Sequence, residues 1–232
     1  MVVRTPLGLL PGLLCGHQVW DAVAAQLQDV ADSLVIALDG CDSIEAMADR
    51  VLDRAPSRFA LCGHSMGGRA ALEVIRRSPS RVSRLALFDT GIHARRESEV
   101  AGRQRLLSLA KTQGMQALAR EWLPPMMSRK GLADKALMST LMAMVESYSV
   151  AAFNGQIKAL LNRPDAEPVL SRIDVPTLLL VGEEDQWSPV SQHQSIQQKL
   201  PGSRLVVIAE AGHMAPAEEP EAVAGAMRDW LF

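Results

Sequence analysis

The chain has 232 residues, 48% of them apolar, and a formal net charge of −2. That length suits one α/β domain with a sizeable core. The near-neutral balance, with no basic stretch, excludes nucleic acid and anionic membrane surfaces as partners and leaves a small-molecule substrate as the expected one.

The first apolar run, Pro6–Leu10, reads as a buried strand. Arg4 followed by Leu7 to Leu14 has the outline of a short leader, with Cys15 as a lipid-modified residue. Gly8, Pro11 and Gly12 break that run and no small residue precedes Cys15, so the strand-and-loop reading is preferred. Further strands are expected at Ser33–Leu38, Phe59–Cys62, Arg84–Phe88, Thr177–Val181 and Arg204–Ile208. Their Leu, Val, Ile and Ala content without polar alternation fits strands covered on both faces. Helical patterns fill the gaps at Val19–Gln28, Ser43–Ala55, Met66–Arg77, Pro189–Leu200 and Pro220–Leu231. Ser43 or Asp42 is placed to cap the second, and Pro56 ends it. Alternating strands and helices give an α/β fold, a mostly parallel doubly wound sheet of about six strands.

Residues 92–165 break the alternation. Leu106, Leu107, Leu109, Ala110, Met115, Leu118 and Trp122 recur at helical spacing, as do Leu137, Leu141, Met144, Val145 and Tyr148. We expect three or four helices inserted as a cap over the C-terminal ends of the strands, where open α/β sheets bind ligands. The core is then 1–91 with 166–232, and the cap 92–165. Trp122, Met126, Tyr148 and Phe153, with Met127, Met138, Met142 and Met144, are candidates for an apolar pocket or for the packing of the cap itself. Arg95, Arg96, Arg103, Arg105 and Arg120 make the early cap basic, either as a solvated face or as a hold on an acidic substrate group.

The chemistry centres on Gly63-His64-Ser65-Met66-Gly67-Gly68, between a strand and a helix. A serine on a sharp strand-to-helix turn projects its hydroxyl clear of the sheet, and the crowded turn needs glycine on both sides. Ser65 is a weak nucleophile without a base. His213, in the loop after the last strand, is at the right end of the sheet. His64 is expected to pack within the turn, His93 and His193 to lie on the surface, and His17 is a further residue that could approach the pocket. Asp185 follows the fifth strand and is the candidate acid. Asp89, just past the fourth strand, is its main competitor, ahead of Glu183 and Glu184. Asp174 lies at the opposite end.

The order Ser, Asp, His, with the GHSMGG turn and the VGEEDQWSP and EAGHMAPAEEP segments, resembles the α/β-hydrolase superfamily, in its capped branch. The resemblance covers nearly the whole chain and implies a serine hydrolase with the triad Ser65, His213 and Asp185. Acyl transfer also needs N–H donors for the developing oxyanion. Met66, after the nucleophile, is one; the resemblance assigns the other to Leu13, where Pro11-Gly12 replaces the usual His-Gly. Relatives often carry a longer loop where this chain has Asp39 to Ser43, so one side of the site is expected to be more open. The implied activity is cleavage of a small carboxylic ester, lactone or thioester. The alternatives are C–C bond hydrolysis or lyase chemistry on an acidic ketone, with Arg96 or Arg120 holding its carboxylate, and a non-catalytic ligand-binding module. No cofactor is expected, and no CxxC or paired His/Cys spacing points to a metal. Cys15, Cys41 and Cys62 fit free thiols in a reducing compartment, hence a cytoplasmic location.

Overall fold

The computed structural model describes residues 4–232. Six strands run β1 (Thr5–Leu10), β2 (Ala31–Val35), β3 (Phe59–His64), β4 (Val82–Phe88), β5 (Thr177–Gly182) and β6 (Ser203–Ile208). They form one parallel sheet in the order β2-β1-β3-β4-β5-β6. The order reverses direction beside β1 and β3, so the loops after those strands open a crevice at the carboxyl edge. Every residue of β3 and β5 is buried. The edge strands β2 and β6 have exposed positions instead, including Leu34 and Val207, because only one neighbour covers them.

Between and after the strands run α1 (Asp21–Gln26), α2 (Ile44–Arg54), α3 (Met66–Arg77), α8 (Val190–Lys199), α9 (Ala215–Glu218) and α10 (Pro220–Leu231); the insertion between β4 and β5 holds α4 (Ser98–Trp122), α5 (Arg129–Ala133), α6 (Lys135–Glu146) and α7 (Val150–Leu161). Ser43 caps α2, its hydroxyl accepting from Ala46 N–H at 3.1 Å. Asp134 and Ser149 cap α6 and α7 in the same way. α4 lies against α6 and α7, and Gly114, at φ +84°, breaks it into two segments.

Several expected boundaries shift; β4 starts at Val82 and β3 runs on to His64. β2 starts two residues early and ends at Val35, not Leu38. Its partner β1 ends at Leu10 and the ladder stops at Leu9–Val35, so Ile36 to Leu38 have nothing to pair with beyond one bond from Ile36 N–H to Leu9. The first helix shortens because His17–Val19 form a 3-10 turn before α1 begins at Asp21. The Asp39–Ser43 segment lies under α7, where a Cβ on Gly155 would stand 3.1 Å from the Cys41 carbonyl.

The core is continuous from the sheet into the cap. Trp20, Phe59, Phe88, Trp122 and Phe153 are its largest fully buried side chains. Trp20 packs on Phe88 and His64 at ring separations of 5.8 and 6.4 Å, directly beneath the turn that carries Ser65. Truncating Phe88 to alanine would cost about 3–5 kcal/mol and loosen the strand end that holds that turn. No single helix among the described residues is long and apolar enough to cross a membrane.

Candidate active site

Ser65 sits between β3 and α3 at φ +53°, ψ −114°, a backbone conformation that non-glycine residues rarely adopt. Its N–H donates to Phe88 C=O at 2.8 Å and its C=O accepts from Thr90 Oγ1 at 2.7 Å, so the neighbouring strand end holds the strained residue in place. A Cβ on Gly63 would lie 2.3 Å from the Gly67 carbonyl, and one on Gly67 would lie 2.4 Å from that of Leu10. The turn therefore closes only with glycine at both positions.

The structure brings the three distant sequence candidates together. His213 Nε2 is 2.9 Å from Ser65 Oγ, and His213 Nδ1 is 2.8 Å from Asp185 Oδ2. The other Asp185 oxygen accepts from Trp187 and Ser188 N–H at 2.7 and 3.0 Å. Burial works against the Asp185 charge, but His213 and those two N–H groups outweigh it and hold the carboxyl below its ordinary value. An ionised Asp185 requires the proton on Nδ1, which leaves Nε2 free to accept from Ser65.

Asp89 is fully buried on the far side of this array. Its Oδ1 accepts from Gly182 N–H at 2.9 Å, and its Oδ2 has no partner. Burial first, and the Asp185 charge second, push its carboxyl well above the usual range, so of the pair Asp89 is the harder to ionise. Asp89 makes no hydrogen bond to His213. Met66 N–H and Leu13 N–H, at the start of α3 and in the loop after β1, make no intramolecular hydrogen bond, and both residues border the same cavity as Ser65.

A model of the alpha/beta hydrolase family matches residues 9–226. The chain belongs to that family. It is 27% identical over 233 residues to a pimeloyl-[acyl-carrier protein] methyl ester esterase of Nitrosomonas europaea, covering 93% of this chain and 91% of that protein. A thermophilic esterase from Thermogutta terrifontis, solved with malate bound, superposes with a TM-score of 0.90 at 26% identity, over 100% of this chain and 90% of that one. The enol-lactonase of Burkholderia xenovorans LB400 shares the fold, with a TM-score of 0.88 at 23% identity over 99% and 92% of the two chains.

The cavity above Ser65 has a volume of about 550 Å³. Of the apolar residues expected there, Trp122 and Met126 line it. Tyr148 and Phe153 do not. Phe153 is fully buried among the cap helices, and Tyr148 donates to the Cys15 carbonyl at 2.7 Å. Met144 accepts through sulfur from Gly16 N–H at 3.3 Å, and Gln156 Oε1 accepts from Leu14 N–H at 2.9 Å. These cap residues hold the loop that carries Leu13 rather than a substrate.

Histidine placement also departs from expectation. His64 does pack in the turn, bonded through Nε2 to the His213 carbonyl at 2.7 Å, and burial drives its pKa down to about 3. His193 is completely buried, not on the surface; its Nε2 accepts from Thr90 N–H at 3.2 Å, so it must be neutral. His93 borders the cavity and accepts from Arg69 through Nδ1 at 2.8 Å. His17 is the exposed one, paired with Asp21 at 2.7 Å and away from the cavity.

Two residues that sequence reasoning passed over shape the site. Glu218 accepts from the N–H groups of Ser128, Gly212 and Met214 at 2.7, 2.9 and 3.2 Å, and so fixes the loop around His213 to the cap. Arg163 pairs with Glu99 through both guanidinium nitrogens at 2.6 and 2.9 Å. The only signal for Glu218 was its place five residues after His213 in the EAGHMAPAEEP segment; for Arg163 there was none, because its partner lies 64 residues away.

Proposed function

We propose that this hydrolase cleaves a small carboxylic ester through an acyl-enzyme, with Ser65 as nucleophile, His213 as general base and Asp185 as the orienting acid. The hydrogen-bonded line Asp185–His213–Ser65, with contacts of 2.8 and 2.9 Å on a strained turn, is the observation that carries this reading. Ser65 Oγ attacks the carbonyl carbon as its proton passes to His213 Nε2. The carbonyl oxygen, now negative, meets the free N–H groups of Leu13 and Met66 at the positive end of α3. His213 returns the proton to the departing alcohol, the C–O bond breaks, and Ser65 is left acylated. A water that loses its proton to His213 then releases the acid and restores the serine. Asp185 keeps the imidazole in the competent tautomer and offsets its positive charge in both halves.

The Nitrosomonas relative is named for a methyl ester, so simple methyl and ethyl esters are the first substrates to test. A fluorophosphonate probe should label the wild-type protein at Ser65 and fail to label Ser65→Ala. Ester turnover with Ser65-dependent labelling supports the reading. Activity confined to acidic vinylogous ketones would move it to C–C chemistry, and absence of both labelling and turnover would leave a ligand-binding module.

A further inference from the structure

The cavity above Ser65 is lined on one side by arginines. Arg69, Arg96, Arg103, Arg105 and Arg163 all border it, with a single carboxylate, Glu99, among them. Glu99 neutralises Arg163 and reaches Arg103 at 3.2 Å, and Glu121 pairs with Arg105. Arg163 uses all five of its donors on Glu99 and on the His93, Ala94 and Leu160 carbonyls. Arg69 and Arg96 have no carboxylate within ion-pair distance among the described residues.

Arg69 is the unusual member. It is 7% exposed, yet its guanidinium touches only neutral groups, the His93 carbonyl at 2.7 Å and His93 Nδ1 at 2.8 Å. A buried guanidinium without a counter-ion is costly to hold. Burial, and then Arg163 nearby, already pull its pKa down to about 9. The lining thus offers positive charge at Arg69 and Arg96 with no carboxylate of the protein beside it.

Resting on the ester-hydrolase reading, we propose that the substrate is anionic: a carboxylate separated from the scissile carbonyl by a short spacer binds Arg69 and Arg96. Arg69 lies four residues after Ser65 on α3, one helical turn away, a span that a spacer of about three to five carbons covers. Arg96, just before α4 and free of side-chain partners, closes on the same group from the cap side. Binding a carboxylate there fills the pairing that Glu99 leaves open and orients the ester carbonyl towards Leu13 and Met66.

Two matched pairs of esters test this. Monoethyl glutarate and ethyl pentanoate place the charge on the acyl side; 4-acetoxybutanoate and butyl acetate place it on the alcohol side. At least one anionic member should exceed its neutral partner by ten-fold or more in kcat/KM at low salt, and the ratio should fall as salt rises. Arg96→Gln, a change at an exposed position, should cut that ratio several-fold, mainly through KM. Arg69→Met should cut it further; because Arg69 also holds His93, its melting temperature is measured alongside. Parity or a preference for both neutral esters in the wild type would overturn the proposal. If no ester is turned over, calorimetric titration of monoethyl glutarate into Ser65→Ala still decides: saturable binding lost in Ser65→Ala/Arg96→Gln supports the anion site, and no binding refutes it.

Discussion

Replacing Asp185 by asparagine should cost three to four orders of magnitude in kcat/KM, whereas Asp89→Asn should cost less than about three-fold. The difference follows from what each oxygen touches. Asp185 Oδ1 accepts two backbone N–H bonds, from Trp187 and Ser188. In Asp185→Asn that position must keep the amide oxygen, because an NH2 there would face two donors. The amide nitrogen then points at His213 Nδ1 and donates to it. Nδ1 becomes an acceptor, the ring proton moves to Nε2, and the nitrogen facing Ser65 can no longer take its proton. A loss of ~10³–10⁴ corresponds to about 4–5.5 kcal/mol of transition-state stabilisation. Asp89 makes no hydrogen bond to His213, and asparagine preserves its bond from Gly182 N–H. Initial rates on a good ester across a range of substrate concentration, with far-UV circular dichroism to establish folding, separate the two. The reverse ranking in two folded variants would place the acid at the end of β4 and refute the tautomer argument.

Other outcomes follow from the same geometry. Ser65→Ala should retain less than about a tenth of wild-type turnover on any substrate found, with an unchanged melting temperature, since nucleophile and base act as a unit. Gln156→Ala leaves the Leu14 N–H without its partner and should lower kcat more than it raises KM, by about ten-fold, because the Leu13 donor drifts; a pure KM effect would show that the loop holds itself. Glu218→Ala frees three N–H groups around His213 and should destabilise the fold by about 2–4 kcal/mol in urea unfolding. The protein should lose stability as pH falls from 6.5 towards 4. His93 and His193 are held at about 4 and His64 at about 3, chiefly by burial, so the unfolded chain takes up protons in that window that the folded chain refuses. Glu99, at about 2 despite its burial, adds a loss below its ordinary 4.5. Asp89 and Glu218, both raised chiefly by burial, have the opposite sign and lose stability as pH rises above 3.8 and 4.5, and these two carboxyls do not offset the three histidines. A melting temperature that is flat or rising between pH 7 and pH 4.5 would contradict these placements.

The parts of the fold that could be read from the sequence are those with local causes. Unbroken apolar runs between turn residues marked all six strands, and the glycines flanking Ser65 marked a turn that no larger residue allows. Strand edges were less legible: whether Ile36 to Leu38 pair depends on where β1 stops, which no local pattern records. Asp185 and His213 were legible as candidates because each follows a strand whose end must lie near Ser65. Single side chains whose fate depends on distant partners were not. His193 looks like a surface helix residue until Thr90, 103 positions away, is placed against it. Tyr148 and Phe153 have the composition of a pocket wall, but the cap helices turn them towards the loop and towards each other's core. The cap arginines could be counted in sequence, but Arg69 and Arg163, which decide whether the cavity carries excess charge, lie outside that segment or gave no pattern.

The cap is stitched to the rest of the molecule along two seams. One joins Met144, Tyr148 and Gln156 to the loop at Leu14–Gly16; the other joins Met126 C=O to His213 N–H at 2.7 Å and Ser128 to Glu218. Lifting it at either seam would displace the loop that carries Leu13 or the loop that carries His213, so passage there should be slow. Traffic is directed to the remaining margin, under the first half of α4, where Arg96, Gly102 and Arg105 border the cavity. Gly114 breaks α4 beside that margin, yet Arg105 pairs with Glu121 across the break and Arg163 holds Glu99, so the first half is tied down as well. Substrate should therefore pass between these side chains, not beneath a lifted helix, and Glu121→Gln, which removes the pair across the break, should speed deuterium exchange of the amides of residues 98–113.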